Sequence, residues 1–192
     1  MLLIGKRASV LAKLAAALEA QGIEADQVHG AGREVESGAG GPAGSGQIAG
    51  RPGGYGVVAF GRAVKAADRE RLRKSFTEAD PDVVFVDGYA PIIPLLVAQF
   101  EQALDRRPLG RRAIVDAAVR AGIVDVELRV PCRLRITAYR LDALYRTHEK
   151  PLFDREVDGG PHSAALGSRA VRSRNAFVVI RAGDEAAALR VN

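Results

Sequence analysis

The chain is poor in the residues that most often fix covalent structure or carry chemistry. Its 192 residues include one cysteine, one methionine, three histidines and no tryptophan. With Cys132 alone, an intrachain disulfide is excluded, and so is a structural zinc site built from cysteines. His29, His148 and His162 show no metal-ligand spacing, so no metal is expected. No apolar run approaches the roughly eighteen residues of a membrane span, and no membrane partner is expected. The apolar stretch Met1 to Ile4 is too short for a signal-peptide core and abuts Lys6 and Arg7, so a reducing cytoplasm is the expected location.

Aromatic residues are also scarce, at 5%, against a formal net charge of +5. The basic residues are scattered among Ala and Gly rather than interleaved with aromatics; the tightest groups are 69–74 and 106–112. A nucleic-acid footprint gathers its cations on one face, so nucleic acid is not an expected partner, whereas a small anionic ligand is compatible with the charge.

The apolar residues that are present fall into two regimes. In the first half, Leu2-Leu3-Ile4 ends at Gly5, and Ser9 is placed to cap a helix carrying Val10, Leu11, Leu14 and Leu18, stopped at Gly22. Ile23 to Val28 reads as a second strand, and Val57 to Gly61 as a third. A helix over Asp68 to Ala79 follows, with Leu72 and Phe76 on one face, then a fourth strand, Val83 to Val86. Pro91 and Pro94 fit the first turn of a helix bearing Ile93, Leu96, Val97 and Phe100. Alternating strands and helices predict a parallel sheet with right-handed crossovers. Between the second and third strands, Gly30 to Gly56 holds eleven glycines and few apolar anchors, and reads as a mobile connection.

In the second half the period changes. Ala113 to Ala121 reads as a leading helix. "VDVELRV" then alternates strictly, with Val124, Val126, Leu128 and Val130 on one side. Leu134 and Ile136 face inward, "DGGPH" and "AGDE" are turns, and Phe177 to Ile180 and Ala186 to Val191 are strands. The expected organisation is an α/β domain over 1–112, with the glycine-rich loop at 30–56, and an antiparallel sandwich over 113–192.

"LLIGKRASV", "VVAFGRA" and "VVFVDGYAP" resemble the strand ends of a Rossmann-type dinucleotide-binding domain of the short-chain dehydrogenase and epimerase kind. That resemblance implies NAD(P) as cofactor, held by Gly5, Lys6, Arg7, Gly61, Asp87 and Gly88, with Asp87 or Tyr89 near the substrate. The match is degenerate, because Gly5 stands alone where the fingerprint has three glycines, and neither Tyr89 nor Tyr139 is followed by the family's lysine. "PDVVFVDGYAP" is also similar to the phosphoacceptor segment of response-regulator receiver domains. No acidic pair follows the first strand to hold Mg²⁺, so aspartyl phosphorylation is not expected, and Asp87 reads as a strand-end residue bonding the amides of the next turn. Residues 123–192, through "ITAYRLD", the Gly-Pro-His turn and "NAFVVIRAGDEAAALRV", resemble the small immunoglobulin-like sandwiches of flagellar-hook-capping proteins and secretion-sorting domains. That resemblance implies assembly through a protein partner or self-association.

Two functions follow from the sequence. One is a non-enzymatic binding or assembly protein that pairs a degenerate Rossmann-like domain with an immunoglobulin-like module. The other is an NAD(P)-dependent oxidoreductase or another nucleotide-dependent enzyme. No complete catalytic set decides between them.

Overall fold

The computed structural model describes residues 1–29 and 54–191. Most of the glycine-rich stretch expected to be a mobile loop lies outside them. Contacts divide the chain into two compact units, Met1–Ile93 and Pro94–Asn192.

The first unit is built on four short parallel strands. They are β1 (Leu2–Gly5), β2 (Asp26–His29), β3 (Val57–Phe60) and β4 (Val84–Asp87), in the order β2-β1-β3-β4. Every residue of β1 and β3 is buried, as the unbroken apolar runs require of central strands covered on both faces. Helices α1 (Ala8–Glu19) and α2 (Ala66–Ala79) supply the cover. Leu2, Ile4, Val58 and Phe60 pack with Leu72 and Phe76 of α2, whereas Gly5, on the alternate side of β1, faces Leu11 of α1. The chain steps from β1 to β2 in one direction and from β3 to β4 in the other, so right-handed crossovers place the two helices on opposite faces.

Local signals explain most of these boundaries, with two corrections. Ser9 is not the cap of α1: Arg7 takes that position in extended conformation without a side-chain cap bond, because the turn after β1 spans only two residues. The other end matches the glycine signal. Gly22 has φ +74°, its N–H donates to the Glu19 carbonyl (2.9 Å), and the Ile23 N–H donates to that of Leu18 (3.0 Å), a closed helix stop. The second correction concerns the end of the glycine-rich stretch, expected to lack anchors. Tyr55 is buried, meets Phe76 edge-on, and donates its hydroxyl to the Asp26 carboxylate at 2.8 Å. Burial first, and then Asp26, push its phenol up to about 12.

All of α3 (Ile93–Leu104) but its first residue belongs to the second unit, and a 3₁₀ turn follows at Leu109–Arg111. Seven antiparallel strands follow: β5 (Ile114–Arg120), β6 (Ile123–Leu128), β7 (Cys132–Leu141), β8 (Thr147–Val157), β9 (Gly160–Ala165), β10 (Ala176–Ala182) and β11 (Glu185–Arg190). They form one sheet in the order β11-β10-β7-β8 and another in the order β5-β6-β9. Val124, Val126 and Leu128 from one sheet, and Leu134, Ile136, Val178 and Ile180 from the other, share a single core. Gln102 of α3 accepts the Ala188 N–H of β11 (3.0 Å), and Glu101 pairs with Arg181 of β10 (2.9 Å), which ties α3 to the larger sheet.

The segment expected to be a leading helix, 113–121, is strand β5. Its β-branched Ile114, Val115 and Val119 favour the extended state, and Ala121 (φ +49°) with Gly122 (φ +78°) turns it directly into β6. Val130, expected inside, is 46% exposed, since β6 ends at Leu128 and the alternation ends with it. A short helix, α4 (Ser168–Val171), also breaks the expected all-strand pattern.

Glu185 is the buried charge of this unit, 4% exposed. Its carboxylate accepts the N–H groups of Ala113 and Ile114 and lies 3.5 Å from Arg107, so it fastens the start of β5 to β11. At the far end, the β7–β8 connection is organised by Asp142. One carboxylate oxygen accepts the Leu144 and Arg146 N–H groups, both at 2.9 Å, and the other meets the His148 ring at 2.9 Å.

These bonds, His148 foremost, lower the Asp142 carboxyl to about 2. A folded-state pKa depressed below its unfolded value stabilises above the ordinary carboxylate range and is lost as pH falls. The amide resonances of Leu144 and Arg146 are therefore expected to titrate with a midpoint near 2, and Asp142→Asn should abolish the response. A midpoint in the ordinary carboxylate range would show that Asp142 does not hold the loop.

Candidate functional site at the strand ends of the parallel sheet

Parallel strands place their carboxyl ends on one edge, and a crevice opens there where successive crossovers leave for opposite faces. In the order β2-β1-β3-β4 that point lies between β1 and β3. Gly5 and Gly61 border it. The Gly61 N–H donates to the Ile4 carbonyl at 2.7 Å, and the Gly88 N–H to that of Phe60 at 3.0 Å, so each glycine extends its ladder by one bond. A Cβ on Gly61 would stand 3.3 Å from the Ile4 oxygen and 3.4 Å from the Gly5 Cα, and one on Gly5 would stand 3.2 Å from Leu11. The backbone neighbours of Gly61 leave a Cβ little room, whereas at Gly5 the Leu11 side chain would have to give by a few tenths of an ångström.

Lys6 and Arg7 follow Gly5 and are exposed. The Arg7 carbonyl accepts the N–H groups of Val10 and Leu11, both at 3.1 Å. The amides of Ala8 and Ser9, in the first turn of α1, have no carbonyl within the helix to bond, and this end carries the positive pole of the helix. The edge beside β1 thus combines two cationic side chains with a helix amino-terminus.

Asp87 is the last residue of β4, the strand-end position expected of it. Its carboxylate is gripped by two arginines of α2, Arg69 at 3.2 Å and Arg73 at 2.6 Å. Arg69 also donates to the Val64 carbonyl (3.1 Å) and the Arg62 carbonyl (3.2 Å), so one guanidinium ties the β3–α2 connection to the end of β4. Arg73 lies over the rings of Phe60 and Phe85, 5.7 Å and 5.3 Å from their centroids. Asp87 is therefore the anionic centre of a latch. The i, i+4 spacing of Arg69 and Arg73 on α2, beside the buried Leu72 and Phe76, sets both cations along the flank of the buried face, within reach of β4.

The structure brings Gly5, Lys6, Arg7, Gly61, Asp87 and Gly88 to one edge of the sheet, with Tyr89 next in the chain and 38% exposed. Tyr139 belongs to β7, where burial raises its phenol to about 12. Among the described residues, no group of three or more His, Cys, Asp or Glu is arranged to hold a metal ion, and no helix is long and apolar enough to cross a membrane.

No protein-family model and no curated protein matches the chain. A protein from Agrobacterium tumefaciens known from an X-ray crystal structure aligns over 100% of this chain and 93% of its own, at 11% identity and a TM-score of 0.28. A similarity of that size carries no argument about fold or activity.

Proposed function

We propose that the chain is a non-enzymatic binding and assembly protein. Its first unit holds a small anionic ligand at the β1/β3 switch point, and its second unit, an immunoglobulin-like module, makes the protein contacts. The observation that carries the ligand reading is the charge arrangement at the strand ends. Lys6, Arg7 and the amino-terminus of α1 are on the β1 side, while the acid on the opposite side, Asp87, is already matched by Arg69 and Arg73. An anion therefore meets positive potential without the repulsion that a bare Asp87 would add.

A dinucleotide fits less well. The pyrophosphate of NAD(P) requires close backbone approach through a second and third glycine, and here Arg7 and Val10 carry side chains at those places. Side-chain cations suit a single phosphate group better. The oxidoreductase alternative therefore rests on Gly5 and Gly61 alone.

Binding to the native state raises the melting temperature, by a stabilisation of about 2.7 kcal/mol at a hundredfold excess over Kd. Inorganic phosphate, ATP and NADP are expected to raise the Tm of the wild type, and Lys6→Ala/Arg7→Ala to weaken each by at least about tenfold, as befits two charge-assisted contacts. Equal affinity in the double variant would refute this placement. A change in nicotinamide absorbance in the presence of an oxidisable substrate would restore the enzyme reading.

A further inference from the structure

The second unit carries two surfaces of opposite character. At one end of the larger sheet, the loop 142–146 projects Leu144 and Tyr145, 69% and 67% exposed. Its shape is fixed by the Asp142 carboxylate and by Tyr145 N–H donating to the Asp142 carbonyl at 3.0 Å, and Tyr145 is held at φ +58°. A non-glycine residue held left-handed by a dense set of bonds is a strained feature of the kind that persists at recognition sites.

Cations outnumber the acids Asp142 and Glu149 at this end of the sheet. Arg146 is in the loop itself, and Leu141 N–H donates to the Asn175 carbonyl, which brings the segment containing Arg169, Arg172 and Arg174 to the same end. Arg190 donates to the Arg174 carbonyl at 3.4 Å, and Lys150 Nζ lies 3.7 Å from the position of a Cβ on Gly167.

The outer face of the smaller sheet is the counterpart. Register aligns Ala118 with Asp125 and Ser163, Arg120 with Ile123 and Ala165, and Asp116 with Glu127 and Pro161, all on the side opposite the buried Val124, Val126 and Leu128. Small residues leave a low floor beside Ile123, which is 44% exposed. Asp116, Asp125 and Glu127 supply the acids, and Arg120 reaches Asp116 and Asp125 only at 4.0 Å each.

We propose that the knob of one copy docks on the outer face of the β5-β6-β9 sheet of a second copy. The inference rests on reading the second unit as an assembly module and names its partner as this same chain. Charge complementarity selects the occupant: an apolar knob at a predominantly cationic end and an acid-edged shallow face are carried by one unit. A preformed knob gains most from a partner of fixed shape, because the ordering cost of the loop is already met within the monomer. The contact is heterologous, so unpaired surfaces remain at both ends and association proceeds head to tail.

The test uses two variants of the full chain, Leu144→Ser/Tyr145→Ser and Asp125→Lys/Glu127→Lys, all at exposed or half-exposed positions. Sedimentation equilibrium of the wild type is expected to show mass rising with concentration and falling with added salt. Each variant alone is expected to associate at least about thirtyfold more weakly. Mixed in equal amounts, they should form a heterodimer and nothing larger, since the first still offers its face and the second its knob. Association that persists in both variants would overturn this docking while leaving an assembly role intact. A wild type that stays monomeric throughout would overturn self-association itself. The same holds if the monomer binds phosphatidylserine vesicles or an oligonucleotide in a way that Leu144→Ser/Tyr145→Ser abolishes.

Discussion

Glu185→Ala is expected to cost the second unit about 3 kcal/mol, read as a lower urea midpoint at unchanged slope. The carboxylate is 4% exposed and is the acceptor for the Ala113 and Ile114 N–H groups at the start of β5. Removing it leaves two donors without that acceptor, each costing about 1–3 kcal/mol when it cannot reach water. Breaking a buried ion pair costs about 3–5 kcal/mol, but chiefly when the partner is left as an uncompensated charge. Arg107 is not left so: it keeps Asp105 at 2.9 Å and Asp184 at 3.0 Å. The loss is thus dominated by the two amides. Glu185→Gln retains one carbonyl oxygen and should recover about half of it. A cost below about 1 kcal/mol for the alanine variant would mean that water replaces the carboxylate and that β5 is not fastened through it.

The first unit was more legible in the sequence than the second, for a physical reason. A central parallel strand is buried on both faces and so is written as an unbroken apolar run, which is how Leu2 to Ile4 and Val57 to Phe60 announced themselves. β5 has no such signature. Its residues are half-buried or exposed and alanine-rich, and its strand state is decided by pairing with β6 across a turn whose only local mark is Ala121-Gly122. The candidate site divides in the same way. Gly5, Gly61 and Gly88 are visible because glycine marks strand ends, whereas the partners of Asp87 are not. Which charges of α2 reach β4 depends on how the crossover lies on the sheet, and a charge run reads alike whether it meets water or a carboxylate. The strand order, which puts the switch point between β1 and β3, has no one-dimensional signal at all.

That two-residue turn also gives the clearest test of why glycine is needed at one place and not beside it. Gly122 has φ +78°, and a Cβ there would stand 2.9 Å from Val171 Cγ2 of α4. Gly122→Ala therefore meets two separate penalties. The left-handed backbone costs an L-residue about 1–2 kcal/mol, and the overlap with Val171 adds about 1 kcal/mol more unless α4 shifts. The expected loss is about 2–3 kcal/mol, and the double variant with Val171→Ala should remove the steric part and keep the backbone part, which double-mutant analysis separates. Ala121, at φ +49°, already bears the first kind of penalty. Ala121→Gly is accordingly expected to have the opposite sign and to stabilise by up to about 1 kcal/mol, because glycine adopts that conformation without a Cβ clash. If Gly122→Ala proved neutral, or if Val171→Ala failed to relieve it, the β5–β6 turn would not be pinned against α4 in the way the packing indicates.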